Sequence, residues 1–269
     1  HRLILTSICC ALLFQLSSHH TAMWPMASIA NYSVISLAFL TVTFLQARFR
    51  GAFLLALLSA LLATFSLGSG QMILLAGTCM LVLKATRKTP SAKKKLYIWL
   101  IFSIATITLF YSLFDTSALP IPSSDSSSIP LQSTSHYILS FFVLIGAPLA
   151  FKNSFIAIII GLIVTSLFFY SYKRLKEQQE GIFALAIFLL ASIGILTLSR
   201  SWVGTEKLVV TERYYIVSIT LIACAVLLTA NALPDIKRRS LNALAILAFT
   251  YSISTYYFEF KQVTKYSNA

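Results

Sequence analysis

The sequence predicts an all-α membrane protein, a polytopic bundle of about eight to ten transmembrane helices, and three observations predict it. Charged residues make up only 11% of the 269-residue chain against 58% hydrophobic, at a mean hydropathy of +0.82, whereas a soluble domain carries roughly 25% charged residues. The apolar residues come in long runs broken by Gly, Pro and charge. Those runs, such as Ala52 to Leu67 and Phe155 to Tyr170, lack the period-2 alternation of a barrel strand. Inside lipid every backbone N–H and C=O must bond internally, so a non-barrel chain crosses as helices.

The runs fall at about 3–17, 26–46, 52–67, 71–83, 97–114, 138–151, 155–172, 182–199, 215–233 and 241–258. A crossing of the roughly 30 Å hydrocarbon core needs about 20 residues at 1.5 Å each. No soluble domain separates the runs, so residues 1–269 read as a single integral membrane domain. The first run follows Arg2 as a signal peptide would, but Gln15 to Thr21 lacks the small-x-small cleavage pattern, and it reads as a membrane helix. Opening on His1, not Met, is what a fragment or a processed chain would show.

The second run has full length and ends before Arg48 and Arg50. The third and fourth are short and meet at Phe65-Ser66-Leu67-Gly68-Ser69-Gly70-Gln71. Two readings stand for that stretch: a tight turn between tilted helices, or a segment dipping into a cavity where backbone groups meet a substrate. It is not a phosphate loop, since no Lys-Ser or Lys-Thr follows the glycines. The fifth run follows Lys93 to Lys95 and leads into residues 115–137, whose Ser, Pro and Asp suit an exposed outer loop. The run at 138–151 is short and ends in Gly146-Ala147-Pro148, as a half-span or re-entrant element would before the full helix at 155–172.

The formal net charge of +13 is gathered into a few loops. Lys and Arg are retained on the cytoplasmic side during insertion, so this charge records topology and contact with anionic lipids, not nucleic-acid binding. Loops 18–25, 68–70 and 115–137 hold no Lys or Arg and face outward. In the second half, Lys173, Arg174 and Lys176 and then Lys237, Arg238 and Arg239 leave two topologies open, according to whether 138–151 crosses. Cys9, Cys10, Cys79 and Cys224 sit in apolar stretches with no metal-ligand or redox spacing, so no metal or cofactor is expected.

The richest polar stretch runs Ser199-Arg200-Ser201-Trp202-Val203-Gly204-Thr205-Glu206-Lys207 and on through Thr211-Glu212-Arg213-Tyr214-Tyr215. Arg200 and Arg213 suit the clamping of an anionic group such as a lipid-linked phosphate, whose oxygens match the guanidinium fork. Equally, they suit pairing with Glu206 and Glu212 as headgroup anchors of two helix ends. His19 and His20 have no acidic partner near in sequence and read as loop residues. Of the outer acids Asp115 and Asp125, Asp115 is placed at a helix end and is the better candidate for a site.

Three stretches together resemble a group of bacterial multi-pass membrane proteins of envelope polysaccharide loci that look like GT-C-type glycosyltransferases. The Phe-Ser-x-Gly-x-Gly turn of that group is resembled by Phe65 to Gly70, and its Gly-small-Pro-Leu element by Gly146-Ala147-Pro148-Leu149. Its Arg, Gly, Glu and Arg-Tyr series is resembled by Arg200, Gly204, Glu206, Arg213 and Tyr214. The order and rough spacing match across most of the chain. The resemblance implies a polyprenyl-phosphate-sugar donor and transfer on the outer face, with Arg200 and Arg213 near the donor phosphate. One departure stands: such enzymes place a catalytic Asp or Glu in the first outer loop, and 18–25 has none. That loop then lies upstream of residue 1, or the chain is not a complete enzyme.

Three classes of function follow. The leading one is envelope glycoconjugate assembly in a bacterial inner membrane, through a lipid-linked sugar transferase with Arg200, Glu206, Arg213, Tyr214 and Asp115 as candidate substrate-binding residues. The second is a transporter or flippase with helices broken at Gly68 to Gly70 and Gly146 to Pro148. The third is a non-catalytic membrane subunit, argued from the scarcity of acids.

Overall fold

The computed structural model describes residues 2–13, 25–87, 91–113, 133–175, 179–201, 204–211, 214–233 and 238–267. Eleven α-helices run through them: α1 (Arg2–Leu13), α2 (Pro25–Gln46), α3 (Ala52–Ser66), α4 (Met72–Thr86), α5 (Ala92–Leu113), α6 (Thr134–Gly146), α7 (Ser154–Tyr172), α8 (Glu180–Arg200), α9 (Thr205–Val209), α10 (Tyr215–Ala232) and α11 (Arg238–Ser267). Two 3-10 turns, Gly68–Gln71 and Ala147–Leu149, join α3 to α4 and follow α6. Among the described residues there is no β-strand.

The fold is an all-α polytopic bundle. Six segments are long and apolar enough to cross a bilayer: Ile29–Gln46, Gly68–Thr86, Ala92–Leu113, Ser154–Tyr172, Glu180–Arg200 and Tyr215–Ala232. Shorter apolar helices cover Leu3–Leu13, Ala52–Ser66 and Thr134–Leu149. Side-chain placement is that of a protein whose solvent is lipid. On α5, Ile101 is 69% and Ile104 67% exposed, while Ser103 and Thr106 on the opposite face are buried. Buried Ser59, Thr64, Ser103 and Thr197 donate their hydroxyls to the carbonyl four residues back at 2.8–2.9 Å. This is how a short polar side chain is satisfied without water. The protein is therefore an integral, multi-pass membrane protein in contact with lipid.

Several helix ends differ from the apolar runs. α5 begins at Ala92, before Lys93 to Lys95, because an interfacial lysine can carry helical backbone while its ammonium stays in water. α6 begins at Thr134, and α11 continues to Ser267, well past the end of the last apolar run. In the polar stretch after α8, Thr205–Val209 form the short helix α9, outside the apolar runs. The apolar segment at 138–151 overlaps the 13-residue α6, which is about 20 Å long against the roughly 30 Å hydrocarbon core. After it, left-handed Phe151 and Lys152 turn the chain, and Asn153 Oδ1 caps α7 by accepting from Ile156 N–H at 3.1 Å.

The helices divide into two compact units, neither continuous in sequence: Ala30–Ser140 with Glu177–Gly204, and His1–Ile29 with Phe141–Lys176 and Thr205–Ala269. In the first unit α4 packs between α5 and α8, and α3 lies against α5 and the Gly68–Gln71 turn. Small residues allow this: Ala56, Ala60, Ala63 and Ala76 are fully buried. Trp99 is the largest side chain in this core; its indole N–H donates to the Leu74 carbonyl at 3.0 Å. Gly77 leaves the ring its room, since a Cβ there would fall 2.2 Å from Trp99 Cζ2. Trp99→Phe should therefore lose a buried hydrogen bond and some packing, about 1–2 kcal/mol, measured as a lower unfolding midpoint in detergent. In the second unit α1 lies along α11 and α10, and α7 against α10. There Ser218 Oγ donates to the Leu144 carbonyl at 2.6 Å, and the Tyr251 hydroxyl donates to the Pro148 carbonyl.

Candidate functional site

Polar groups within a membrane protein gather where helices end or break, because there the backbone releases donors and acceptors. Arg200 is the last residue of α8, in the first unit, and is half-exposed. Next to it, His136 Nε2 lies 2.9 Å from the Ser201 carbonyl. A carbonyl only accepts, so Nε2 carries the proton and ties the start of α6 to the end of α8.

Glu206, exposed on α9, and Tyr214, buried just before α10, belong to the second unit. The Tyr215 hydroxyl donates to the Val209 carbonyl and holds the end of α9 against the start of α10. Arg213 and Asp115 lie outside the described residues, as do His19, His20, Asp125, Trp202 and Glu212.

The Gly68–Gln71 turn is folded tightly against its neighbours. Gly70 N–H donates to the Leu67 carbonyl at 2.7 Å, and Ser192 Oγ on α8 donates to the Ser69 carbonyl at 3.4 Å. Only glycine fits at 70, where a Cβ would fall 1.8 Å from the Ala63 carbonyl oxygen. Phe65 stacks near Phe110 of α5, with ring centroids 5.6 Å apart. Ser69 and Gly70 are buried, while Ser66 and Gly68 are exposed. In the second unit, buried Ala147 and Pro148 form the other 3-10 turn at the end of α6.

A charged cluster that the sequence reading passed over occupies the opposite end of the first unit. Arg87 Nη1 pairs with Glu180 Oε1 at 2.8 Å, and the Glu180 side chain is 1% exposed. Lys84 Nζ donates to the Leu45 carbonyl at 2.7 Å, closing the end of α2. The Gln46 side chain fills the space beside Gly181. Helix dipoles reinforce both partners, since Glu180 opens α8 while Lys84 and Arg87 lie at the end of α4. The cluster thus joins the ends of α2 and α4 to the start of α8 on the side where Arg48, Arg50 and Lys93 to Lys95 collect. The available signal was Glu180 itself, an acid abutting a strongly apolar run.

Among the described residues, no three His, Cys, Asp or Glu side chains converge, and no metal centre is assigned. No family model, curated protein or solved structure matches the chain. The functional reading therefore rests on the residues and their geometry.

Proposed function

We propose that the protein serves cell-envelope glycoconjugate assembly in a bacterial inner membrane, handling a polyprenyl-phosphate-linked sugar, with Arg200 and Arg213 as guanidinium ligands of its phosphate. One observation carries the reading: each stretch that resembles the GT-C-like group falls at an interruption between membrane helices. Phe65 to Gly70 holds the turn between α3 and α4, Gly146 to Leu149 the turn after α6, and Arg200 to Tyr214 the connection from α8 to α10. Such breaks are where a membrane protein can offer polar groups to a polar substrate. Arg200 ends an apolar segment long enough to cross a bilayer, and a guanidinium binds phosphate through paired hydrogen bonds. Glu206, Tyr214 and Asp115 complete the proposed substrate-binding set.

Arg200→Ala and Arg213→Ala should each slow sugar transfer from a polyprenyl-phosphate donor in isolated membranes by at least about tenfold, given roughly 1.5–3 kcal/mol per charged hydrogen bond. An unchanged rate in the double variant rejects the reading. A transporter or flippase is the second reading, and a specific observation favours it. Two short helices each run through a 3-10 turn into a further helix: α3 and α4 around Gly68–Gln71, α6 and α7 around Ala147–Leu149. Paired interruptions of this kind suit transporter halves. Movement of a labelled lipid-linked sugar across proteoliposomes, without transfer to an acceptor, selects it.

A further inference from the structure

Two topologies stand open for the second half of the sequence, and contacts within the first unit bear on the choice. α8 opens at Glu180 and ends at Arg200, a segment long enough to cross a bilayer, so its two ends stand on opposite sides. Arg87 pairs with Glu180, Lys84 donates to the Leu45 carbonyl shortly before Arg48 and Arg50, and Lys95 Nζ lies 5.9 Å from the centre of the Phe53 ring. The start of α8 is therefore on the side of Arg48, Arg50 and Lys93 to Lys95. Its other end is where α6 begins, since His136 Nε2 lies 2.9 Å from the Ser201 carbonyl.

The chain leaves His136 on one side of the membrane and returns at Glu180 on the other, which takes an odd number of crossings. Among the described residues two apolar helices lie between them, α6 and α7, so they cannot both cross. α7 is the longer, with 19 residues and about 28 Å against 13 residues and about 20 Å. Lys173 follows α7 directly, and the stretch from there to Gln179 is mostly polar and spans at most about 25 Å even fully extended. It stays on the side of Glu180.

We infer that α7 alone carries the chain across between α5 and α8, and that the side on which it ends docks anionic phospholipid headgroups through Arg48, Arg50, Lys93, Lys94, Lys173 and Arg174. All six are exposed, and each stands within a few residues of the start or end of an apolar helix. A juxtamembrane Lys or Arg strengthens attraction to an anionic leaflet by roughly fivefold. Exposed rings are interleaved with these cations, as at a membrane interface: Phe49 between the two arginines, Tyr97 after the lysines and Tyr172 before Lys173. The Arg174 guanidinium lies 5.1 Å from the centre of the Tyr170 ring. Glu180 is buried and matched by Arg87, so it does not neutralise the exposed cations. The inference draws on none of the residues assigned to the lipid-linked sugar.

Two measurements on the full chain test it. With the native cysteines replaced by serine, Arg50→Cys and Arg174→Cys should react with a membrane-impermeant maleimide from one side of sealed vesicles, and Lys207→Cys, just past the end of α8, from the other. Labelling of Arg174→Cys from the Lys207 side overturns the single crossing. The second measurement is the unfolding midpoint in neutral detergent micelles titrated with phosphatidylglycerol or phosphatidylcholine, since a ligand of the folded state raises the midpoint. Phosphatidylglycerol should raise it and phosphatidylcholine should not. Arg48→Gln with Arg50→Gln, and Lys173→Gln with Arg174→Gln, should each need at least about tenfold more phosphatidylglycerol for the same rise, whereas Lys207→Gln should match the unaltered chain. Lys93→Gln with Lys94→Gln gives the same readout where either pair is not recovered. An equal response to the two lipids, or unaltered titrations in the double variants, overturns the docking surface. An equal rise with inorganic phosphate or polyglutamate assigns the cations to a soluble anion and overturns the lipid.

Discussion

Gly161→Leu should destabilise the protein by about 3 kcal/mol or more, since overpacking against backbone leaves no side chain to move aside. Gly161 of α7 lies against α6, where a Cβ would fall 2.2 Å from the Phe142 carbonyl oxygen. Gly146, the last residue of α6, is the reciprocal case, with a Cβ position 2.0 Å from the Ala157 carbonyl oxygen. Ala157 and Gly161 are four residues apart on α7, the small-residue spacing that lets membrane helices approach to backbone contact. Hydrophobic driving force between helices is absent in lipid, so close packing of this kind supplies the association.

At roughly 2–4 °C per kcal/mol for a chain of this size, the unfolding midpoint of detergent-solubilised Gly161→Leu should fall by about 10 °C, and Gly146→Leu should match it. Gly194→Ala is the control, since nothing lies within 4 Å of a Cβ there. An undisturbed midpoint in both leucine variants would mean that α6 and α7 do not meet through their backbones.

Removing Arg87 should be the other large effect. Arg87→Ala leaves a carboxylate that is 1% exposed without its guanidinium, and breaking a buried pair from one side costs about 3–5 kcal/mol. The Arg87 side chain is 34% exposed, which places the loss at the lower end of that range. Glu180→Gln should cost less, because the freed guanidinium can turn to water while the amide retains the volume. The two changes should not add. Arg87→Ala combined with Glu180→Gln should recover much of the single Arg87→Ala loss, since no buried charge then remains unmatched. Midpoints of the two single variants and the double variant close this cycle, and strict additivity would deny the pairing.

Much of the architecture was legible in the chain, and particular residues show where legibility ended. The α2, α7, α8 and α10 spans follow directly from apolar runs, because transfer to hydrocarbon is a sum over residues that needs no knowledge of neighbours. Helix ends near Lys93 to Lys95 and beyond residue 258 were misjudged, since a helix may continue into the interface after its apolarity stops. Short α9 was missed because five residues between polar neighbours carry no periodic signal. For the candidate site, the sequence picked out Arg200 and the Gly68–Gly70 stretch but not Glu180, whose importance depends on Arg87 lying across from it.

By itself, then, the amino-acid order determined the solvent of this protein, the kind of element it uses and the two glycine-marked interruptions. Each of these is local: hydropathy, backbone satisfaction and chain flexibility are set by residues and their near neighbours. Only the tertiary structure decided that Glu180 is matched by Arg87, that Gly146 and Gly161 serve one contact, and that the α3–α4 turn sits level with Ser192. Those facts depend on which helix stands beside which and at what height. In lipid that choice is made by shape and hydrogen bonding between segments far apart in the chain, which no hydropathy pattern encodes.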